Sequence, residues 1–496
     1  MGISAAMSAR IFTPGARLGQ LAAEDPHERA LLVRQADGTT SSLSRGELDA
    51  WSNRLAHRLA QDGVGPRSFV AIHLPTSLEH VVATLAAYKL GVCPMPISHR
   101  MPEAERDALL ALAAPAAVVS DAGELAGISR QAMRALDGYP DRPPPDVVPQ
   151  PYKAIASGGS TGKPKLVVSP GAFQYPGERH PFALALGLKA GDCLYSPGPL
   201  YHNQAFLFTQ VALFAGGSVI LNERFDAGQA LDTIHRYRPS VLSLVPTMMS
   251  RMLRAPELAS TDFGSVRSMW HLAAPCPAWV KRGWIELLGA RRVNELWAAT
   301  ELTGVTLIDG EEWLRHPGSV GCGWNTEIRI LDAERRPLPP GEVGEVFSRF
   351  AGGPAQYRYL GAAALETVGD GFASVGDMGH LDDEGYLYLA DRRVDLVISG
   401  GANVVPAEVE AALTRHPAVR DAAVIGLRDD DLGRRVHAIV ELAPGIDASV
   451  LPELDRHVRG LLAGYKVPRS YEVVPALPRD EAGKIRKSAL RDARGG

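Results

Sequence analysis

Short apolar segments alternate with amphipathic segments along the first several hundred residues of the chain. The segment SFVAIHL, residues 68–74, is typical of a buried strand, and the residues after it place apolar side chains at helical spacing until Gly91. The same order of strand and helix returns at GSVILN and at SVLSLVP, each followed by an amphipathic stretch. This alternation predicts an α/β fold built on doubly wound, mostly parallel sheets.

The pattern changes after Asn325. The strand-like segments TEIRILD, GEVGEVFSRF and GYLYLADRR are joined by turn residues, and they predict a small antiparallel β unit. A compact α+β pattern then follows Arg393, with the helix PAEVEAALTRHP and the strands DAAVIGL and RVHAIVEL. We therefore predict a large N-terminal domain over residues 1–393 and a small α+β C-terminal domain over residues 394–496, a size that can fold independently.

The composition narrows the class of protein. A length of 496 residues leaves room for several domains. Hydrophobic residues make up 46% of the chain and charged residues 22%, which excludes a disordered or fibrous protein. The net charge of −4 argues against a dedicated nucleic-acid binder, because such a protein carries an excess of basic residues.

Cysteine usage and the apolar stretches indicate a cytoplasmic protein. Cys93, Cys193, Cys276 and Cys322 lie far apart, with no CxxC pair, so we expect neither a disulfide framework nor a structural zinc site. The apolar stretches are too short or too often interrupted for a transmembrane helix, and the first residues lack the apolar core of a signal peptide. The oligomeric state cannot be read from the sequence.

One loop carries the strongest chemical signal. The segment IASGGSTGKPKLVV, residues 155–168, places glycines, hydroxyl residues and lysines between two apolar strands. Backbone N–H groups of small residues can converge on an anion there, while the hydroxyls add donors and the lysines add charge. The spacing is not that of a P-loop NTPase, because Ser157 stands where that motif has its first glycine and Pro164 where it requires Ser or Thr. The alternative is a surface turn, but this combination of residues favours a polyphosphate-binding loop.

The loop SGGSTGKPK resembles the signature loop of the adenylate-forming superfamily, which contains acyl-CoA synthetases, stand-alone adenylation domains and luciferases. Further blocks resemble that family in its own order: AAPCP at residues 273–277, WAATE at 297–301, a ribose and hinge block at 374–410, and the C-terminal blocks YKVP and PRDEAGKIRKSAL. The likeness covers residues 155–490 and is greatest to bacterial fatty-acyl or bile-acid CoA ligases. It implies ATP, Mg²⁺ and CoA as cofactors or second substrates.

The resemblance also implies a role for each matching residue. The residues that would hold ATP are Ser157, Gly158, Ser160, Thr161, Gly162 and Lys165 in the phosphate loop, Ala273, Ala274, Pro275 and Trp297 at the adenine, and Asp377 and Arg392 at the ribose. The residues that would act on the α-phosphate are Thr300, Glu301, which would also bind the metal ion, and the mobile Lys484, which would bridge the carboxylate and the phosphate. Asp395 matches the hinge of the moving C-terminal domain, and Gly400 and Gly401 match the passage for the pantetheine arm of CoA.

A further set of residues matches the acid pocket of the family. Its members are Tyr201, His202, Asn203 and Phe206 on one side, Trp270 and His271 on the other, and Ala298 and Ala299 near the reacting group. His202 is also a catalytic candidate, with a purely structural histidine as the alternative. Trp297 replaces a usual tyrosine, and the two alanines stand where glycines are usual in the relatives. Because each added methyl group shortens an acyl tunnel, we expect a short or aromatic acid rather than a long-chain one.

Three functions fit this sequence. The first is ATP-dependent ligation of an acid to CoA through an acyl-adenylate, with release of AMP and pyrophosphate. The second keeps the adenylation but changes the acceptor or nucleophile to a carrier-protein thiol, an amine, or nitrite, as in ligase-like diazotases of natural-product pathways. The third is a non-catalytic adenylate sensor. The residues that argue against a sensor are Lys165, Glu301, Asp377, Arg392 and Lys484, since a sensor does not need the mobile lysine.

Overall fold

The computed structural model describes residues 11–121, 127–158, 164–176, 180–353, 357–392, 395–399, 402–429, 432–480 and 484–495. The strands of this part of the chain are β1 (Arg29–Arg34), β2 (Thr40–Ser44), β3 (Phe69–His73), β4 (Cys93–Pro96), β5 (Ala117–Ser120), β6 (Ile128–Ser129), β7 (Lys153–Gly158), β8 (Pro164–Ser169), β9 (Cys193–Ser196), β10 (Ser218–Asn222), β11 (Val241–Leu244), β12 (Ser268–His271), β13 (Val293–Ala298), β14 (Val305–Asp309), β15 (Cys322–Gly323), β16 (Thr326–Leu331), β17 (Gly344–Phe350), β18 (Arg358–Leu360), β19 (Thr367–Val368), β20 (Phe372–Ala373), β21 (Asp377–Leu381), β22 (Leu387–Arg392), β23 (Val397–Ser399), β24 (Ala402–Val404), β25 (Val419–Asp429), β26 (Gly433–Leu442) and β27 (Ser470–Val474).

The helices are α1 (Pro14–Glu24), α2 (Arg45–Gln61), α3 (Leu78–Lys89), α4 (Glu103–Ala113), α5 (Arg130–Arg134), α6 (Pro181–Ala185), α7 (Asn203–Phe214), α8 (Ala227–Tyr237), α9 (Pro246–Leu253), α10 (Ala278–Leu288), α11 (Gly310–Arg315), α12 (Pro406–Thr414), α13 (Leu451–Leu461) and α14 (Lys487–Asp492). Within the described ranges, none of them has the length and apolar character needed to span a bilayer.

A nine-stranded sheet forms the centre of the N-terminal domain, in the order β15-β14-β13-β12-β11-β9-β10-β1-β2. Its middle strands, from β13 to β1, pair in parallel, and antiparallel strands close both edges. A second sheet, β4-β3-β5-β6, is parallel throughout. Helices bury apolar faces against these sheets, and a helix such as α2 begins at a capping box formed by Ser44 and Glu47. The α/β fold with mostly parallel sheets is confirmed.

Two further sheets complete the N-terminal domain. Strands β18-β8-β7 form a three-stranded sheet whose β7–β8 hairpin carries the predicted phosphate loop. Strands β16, β17 and β19 to β22 form a six-stranded sheet in which every recorded pair is antiparallel. This six-stranded sheet is the predicted antiparallel β unit. Short polar turns join its strands, as is common in antiparallel sheets with one face toward solvent.

The smaller C-terminal domain has its own apolar core. Strands β25-β26-β27 form a sheet on which α12 and α13 pack, and Val424, Val440 and Leu454 are fully buried between them. The α+β C-terminal domain is thus present as expected. The predicted boundary between residues 393 and 394 falls outside the described residues and stays a prediction.

Candidate active site

The β7–β8 hairpin presents the predicted phosphate loop. Its backbone register places Ser157 opposite Lys165 and Gly158 opposite Pro164. The central loop residues Ser160, Thr161 and Gly162 lie outside the described part of the chain. Cross-strand partners share one face of a sheet, so the hairpin face that carries Lys165 also carries Lys153, which lies opposite Ser169.

Glu301 lies in the turn between β13 and β14, and two neighbours hold its carboxylate. The turn bends sharply, since Leu302 has a φ of 52° and its N–H donates to the carbonyl of Ala299 at 3.0 Å. Glu301 is only 7% exposed. The Lys165 ammonium lies 3.6 Å from Glu301 Oε1, and the hydroxyl of Tyr359 donates to the same oxygen.

Tyr359 was missed by the sequence analysis. It lies on β18, which pairs with β8 so that Tyr359 stands opposite Val167. The Lys165 Nζ lies 4.1 Å from the centre of the Tyr359 ring, within the range of a cation–π contact. A lysine, a phenol and a carboxylate therefore form one cluster beside the phosphate loop. No motif pointed to Tyr359, because its place depends on strand pairing across the chain.

Lys153 is a second residue that the sequence analysis missed. It is 0% exposed, and its Nζ donates to Asn203 Oδ1 at 2.6 Å. Burial lowers the pKa of Lys153 to about 8, while the charge of Glu301 opposes that shift. The available signal was a lysine within the otherwise apolar strand β7, in a chain where arginine carries most of the basic charge.

The N-terminus of α7 brings the acid-pocket candidates together. His202 is the N-cap residue, Asn203 is the first helical residue, and Phe206 is buried in the main core. The ring of Tyr201 lies against that of His202, with 4.6 Å between their centres. The pKa of His202 is lowered to about 4, first by burial and then by the positive charges of Lys484 and Arg486, with Asp480 acting in the opposite direction.

The nucleotide-binding candidates lie on β13, β21 and β22 and in the loop after β12. The indole N–H of Trp297 donates to Asp377 Oδ2 at 3.0 Å. The backbone register places Arg392 opposite Asp377, so both ribose candidates lie on one pair of strands. The loop after β12 leaves Ala273 and Pro275 exposed and Ala274 half-buried, and Ala273 adopts a φ of 77° that is uncommon for a residue with a Cβ.

Trp270 and His271 point to opposite faces of β12, as successive strand residues do. Trp270 packs in the core that includes Phe206 and donates to the carbonyl of Leu186 at 3.1 Å. His271 lies 3.7 Å from Glu295 Oε2, a carboxylate that also accepts a 2.6 Å bond from the buried Lys281. The two side chains therefore lie on different faces of the strand. Their assignment to the acid pocket stays a prediction, and Trp270 is the member that packs in the same core as α7.

The C-terminal loop reaches the N-terminal domain. Lys484 donates its backbone N–H to Asp480 Oδ1 at 2.8 Å, and its carbonyl accepts from the backbone of Asp480 at 2.9 Å. The adjacent Arg486 lies 3.8 Å from Glu105 on α4. The segment that carries Lys484 therefore contacts the N-terminal domain. Asp395 precedes β23, while Gly400 and Gly401 lie outside the described residues.

Comparisons with known proteins agree with this arrangement. The model of the AMP-binding enzyme family matches residues 19–356, and the model of the AMP-binding enzyme C-terminal domain matches residues 408–484. A feruloyl-CoA synthase from Amycolatopsis sp is 31% identical over 91% of this chain and 94% of its own length. An indoleacetate–CoA ligase from Aromatoleum aromaticum is 31% identical over 90% of this chain and 92% of its own length.

A solved structure supports the same assignment. The o-succinylbenzoate CoA synthetase from Bacillus subtilis, in complex with its acyl-adenylate intermediate, superposes with a TM-score of 0.81 and 28% identity, over 98% of this chain and 99% of the other. Family models thus match both the large N-terminal part and the C-terminal part of the chain. The chain belongs to the family of AMP-binding enzymes.

Proposed function

We propose that this protein is an AMP-forming acid–CoA ligase for a small or aromatic carboxylic acid. It activates the acid with ATP as an acyl-adenylate and then transfers the acyl group to CoA. The observation that carries the proposal is the cluster of Lys165, Tyr359 and Glu301 beside the phosphate loop. The C-terminal segment that carries Lys484 also contacts the N-terminal domain, through Arg486 and Glu105.

Positive charge is what the first half-reaction needs. A carboxylate oxygen forms a bond to the α-phosphorus of ATP, the bond from that phosphorus to the bridging oxygen breaks, and pyrophosphate leaves. Two anions must approach each other, so alignment and charge stabilisation dominate the catalysis. We assign Lys484 to the reacting carboxylate and the α-phosphate of ATP. We assign Lys165 to the β- and γ-phosphates, which can replace Glu301 as the ion-pair partner of Lys165.

The residues around Glu301 fit a magnesium ion. Mg²⁺ is usually held by one or two carboxylates, substrate phosphates and water. In the described ranges no group of three or more His, Cys, Asp or Glu side chains could form a complete metal site. Glu301 would therefore supply the protein ligand, oriented by the Tyr359 hydroxyl, and the bound ion would neutralise phosphate charge.

The second half-reaction requires a different domain arrangement. The thiol sulfur of CoA forms a bond to the acyl carbon, the bond from that carbon to the phosphate oxygen breaks, AMP leaves, and the thiol proton passes to solvent. We assign Asp395 as the hinge of the rotation that removes Lys484 and admits the thiol. Gly400 and Gly401 would then border the pantetheine arm, where the absence of side chains permits close approach.

The preference for a small or aromatic acid rests on side-chain volume. Ala298 lies at the end of β13 and packs against the main core, and Ala299 follows it in the turn that carries Glu301. Methyl groups at both positions shorten the space next to the reacting centre. Two relatives, feruloyl-CoA synthase and indoleacetate–CoA ligase, are named after aromatic acids, which supports this preference.

Pyrophosphate release across a panel of acids tests the proposal. The panel contains benzoate, ferulate, indole-3-acetate and palmitate, each offered with ATP and Mg²⁺ and with CoA, an amine or nitrite in turn. We expect release with an aromatic acid, and acyl-CoA as the product. Turnover sustained only by an amine or nitrite would identify a different second reaction, and no release under any condition would contradict adenylation.

A further inference from the structure

Lys153 is a buried cation that the mechanism above does not use. Its ammonium group has three N–H donors. Among the described residues, the only hydrogen bond recorded for that group is the 2.6 Å bond to Asn203 Oδ1, and no carboxylate lies within 4.0 Å of it. An amide oxygen is a neutral acceptor, so it does not compensate the charge.

A buried cation without a carboxylate partner within the described structure is costly, even though its Nζ lies 5.9 Å from the centre of the Tyr152 ring. The neighbouring residues Ala154 and Ile155 are also buried, and an aliphatic side chain would suit the strand without any desolvation penalty. Replacing buried ionic groups by apolar ones of similar volume is often neutral or stabilising. The lysine therefore contributes something other than packing, and its remaining N–H donors are suited to an anion.

Other polar groups at the same place also lack a protein partner within the described structure. His202 Nε2 is buried and has no hydrogen-bond partner within the described structure. No side-chain hydrogen bond caps the N-terminus of α7 at His202. Asn203, which accepts the bond from Lys153, is the first residue of this 12-residue helix. Helix N-termini favour anions because their first N–H groups are unpaired and the dipole is positive there.

We propose that Lys153, His202 and the N-terminus of α7 form a fixed oxyanion site, which binds the planar, two-oxygen anion that attacks ATP. Lys153 is the immobile counterpart of Lys484, and it holds the nucleophile before the C-terminal domain closes. Lys153 shares its hairpin face with Lys165, which lies 3.6 Å from Glu301, so this site is next to the phosphate cluster. The inference rests on the proposed adenylation, and both a carboxylate and nitrite have the required chemistry.

The substitution Lys153→Met tests the site. It removes the ammonium group, keeps an unbranched side chain of similar length, and suits an apolar strand. Lys165→Met is the matched comparison, since it removes another lysine from the same hairpin face. We assign that lysine to the phosphates of ATP. Lys153→Leu is a second apolar variant, and thermal unfolding of each purified full-length variant checks that it is folded.

Steady-state pyrophosphate release gives the first readout, with benzoate, ferulate, indole-3-acetate or nitrite as the anion. We expect Lys153→Met to raise the KM for the anion by about tenfold or more, the loss typical of a bond to a charged group, with the KM for ATP within about twofold. Lys165→Met should raise the KM for ATP and change the KM for the anion by no more than about twofold. An unchanged anion KM, or a rise confined to the KM for ATP, would overturn the inference.

Calorimetric titration of the same four anions into wild type and Lys153→Met gives a readout independent of turnover. We expect at least one anion to bind wild type and to lose about tenfold in affinity in the variant. Weaker binding of a carboxylate by the variant identifies the acid as the occupant. Weaker binding of nitrite identifies nitrite as the occupant. Binding without turnover would contradict the proposed function but support the site. Failure of all four anions to bind wild type would overturn the site.

Discussion

Residues from distant parts of the chain determine the charge around Glu301. Lys165 comes from the hairpin and Tyr359 from β18, and both contact the same carboxylate oxygen. The carboxylate is thereby oriented while its charge is balanced by a residue that can also bind phosphate. On the other side of the site, Trp297 holds Asp377 through its indole N–H. Glu301 and Asp377 thus each have partners that fix their direction, which is what transition-state stabilisation requires.

Replacing Lys484 by alanine tests the role of the C-terminal loop. We expect Lys484→Ala to lower the rate of acyl-adenylate formation by about a hundredfold or more, because it removes the charge next to the reacting oxygens. ATP affinity should change little. Pyrophosphate release measures the first quantity, and calorimetric titration with ATP measures the second. Lys189→Ala is the control, since Lys189 is exposed and its backbone N–H bonds to Asp192, which is not a site residue. Full adenylation by the Lys484 variant would contradict its assigned role.

The indole–carboxylate bond predicts an effect on nucleotide binding. Trp297→Phe keeps an aromatic ring but removes the donor to Asp377, so we expect the KM for ATP to rise roughly tenfold. Trp279→Phe provides a matched control, because the indole N–H of Trp279 is buried without a hydrogen-bond partner within the described structure. Equal KM values for the two variants would show that the bond to Asp377 does not support ATP binding.

At the scale of elements, strand alternation and helix ends distribute the chemistry. The β7–β8 hairpin places Lys153 and Lys165 on one face, and α7 directs its N-terminus toward the first of them. The turn from β13 to β14 then brings Glu301 to the same place. Strands hold Lys153 and Lys165, whereas a sharp turn between two strands holds Glu301.

The turn after β13 predicts the chain-length preference of the enzyme. Ala298→Gly and Ala299→Gly remove the methyl groups that we expect to shorten the acid pocket. The ratio of kcat/KM for palmitate to that for benzoate should rise by about tenfold, the usual effect of one methyl group in a tight pocket. Acyl-CoA formation with acids of increasing length measures it. A wild-type preference for palmitate over benzoate would contradict the pocket hypothesis.

At the scale of the whole molecule, contacts between the domains present Lys484 to the site. Arg486 lies 3.8 Å from Glu105, and Arg254 donates to the carbonyl of Arg420 at 3.0 Å. Both contacts are partly exposed and polar, so each contributes little to stability. Weak polar contacts suit a domain that must move away again between the two half-reactions.

Reversing the charge of Glu105 should weaken this domain arrangement. We expect Glu105→Arg to slow adenylation roughly three- to tenfold, because attraction to Arg486 becomes repulsion. Transfer from added benzoyl-adenylate to CoA should keep its rate, since it uses the other arrangement. Glu103→Arg is the matched control on the same helix, as Glu103 is exposed. Equal slowing of both half-reactions would show that the contact supports the fold rather than the domain closure.

Buried histidines predict a loss of stability in mild acid. Burial lowers the pKa of both His80 and His202 to about 4, against an ordinary value of 6.5. The unfolded chain therefore binds more protons between these values, so stability is full above about pH 6.5 and falls as the pH drops toward 4. For His80 alone the complete shift corresponds to about 3 kcal/mol.

Urea unfolding at pH 7.5, 6.5 and 5.5 measures this dependence. His80→Gln removes one titrating group while keeping a polar side chain. We expect the gap between the free energies of unfolding of wild type and variant to shrink as the pH falls. Parallel curves for the two proteins would contradict a neutral, buried His80.

Some features of this protein were readable from local sequence alone. The alternation of apolar and amphipathic segments predicted the α/β fold, since period is a property of consecutive residues. The motif blocks likewise indicated the family, as a loop such as residues 157–165 needs its glycines and hydroxyls at fixed local spacing. The two-domain order followed from the α+β pattern that begins after Arg393. The domain boundary and the individual site roles remain predictions.

Other features were decided only by the tertiary structure. Lys153 contacts Asn203, 50 positions along the chain, and Tyr359 contacts Glu301 across 58 positions. Neither pair has a local pattern, because strand pairing and helix packing set which distant residues meet. Trp270 and His271 show the same limit, as adjacent residues on β12 separate to opposite faces of a buried strand. The spacing of residues in the sequence determines secondary structure and local turns. Contacts between polar and charged side chains that are distant in sequence depend on how the whole chain packs.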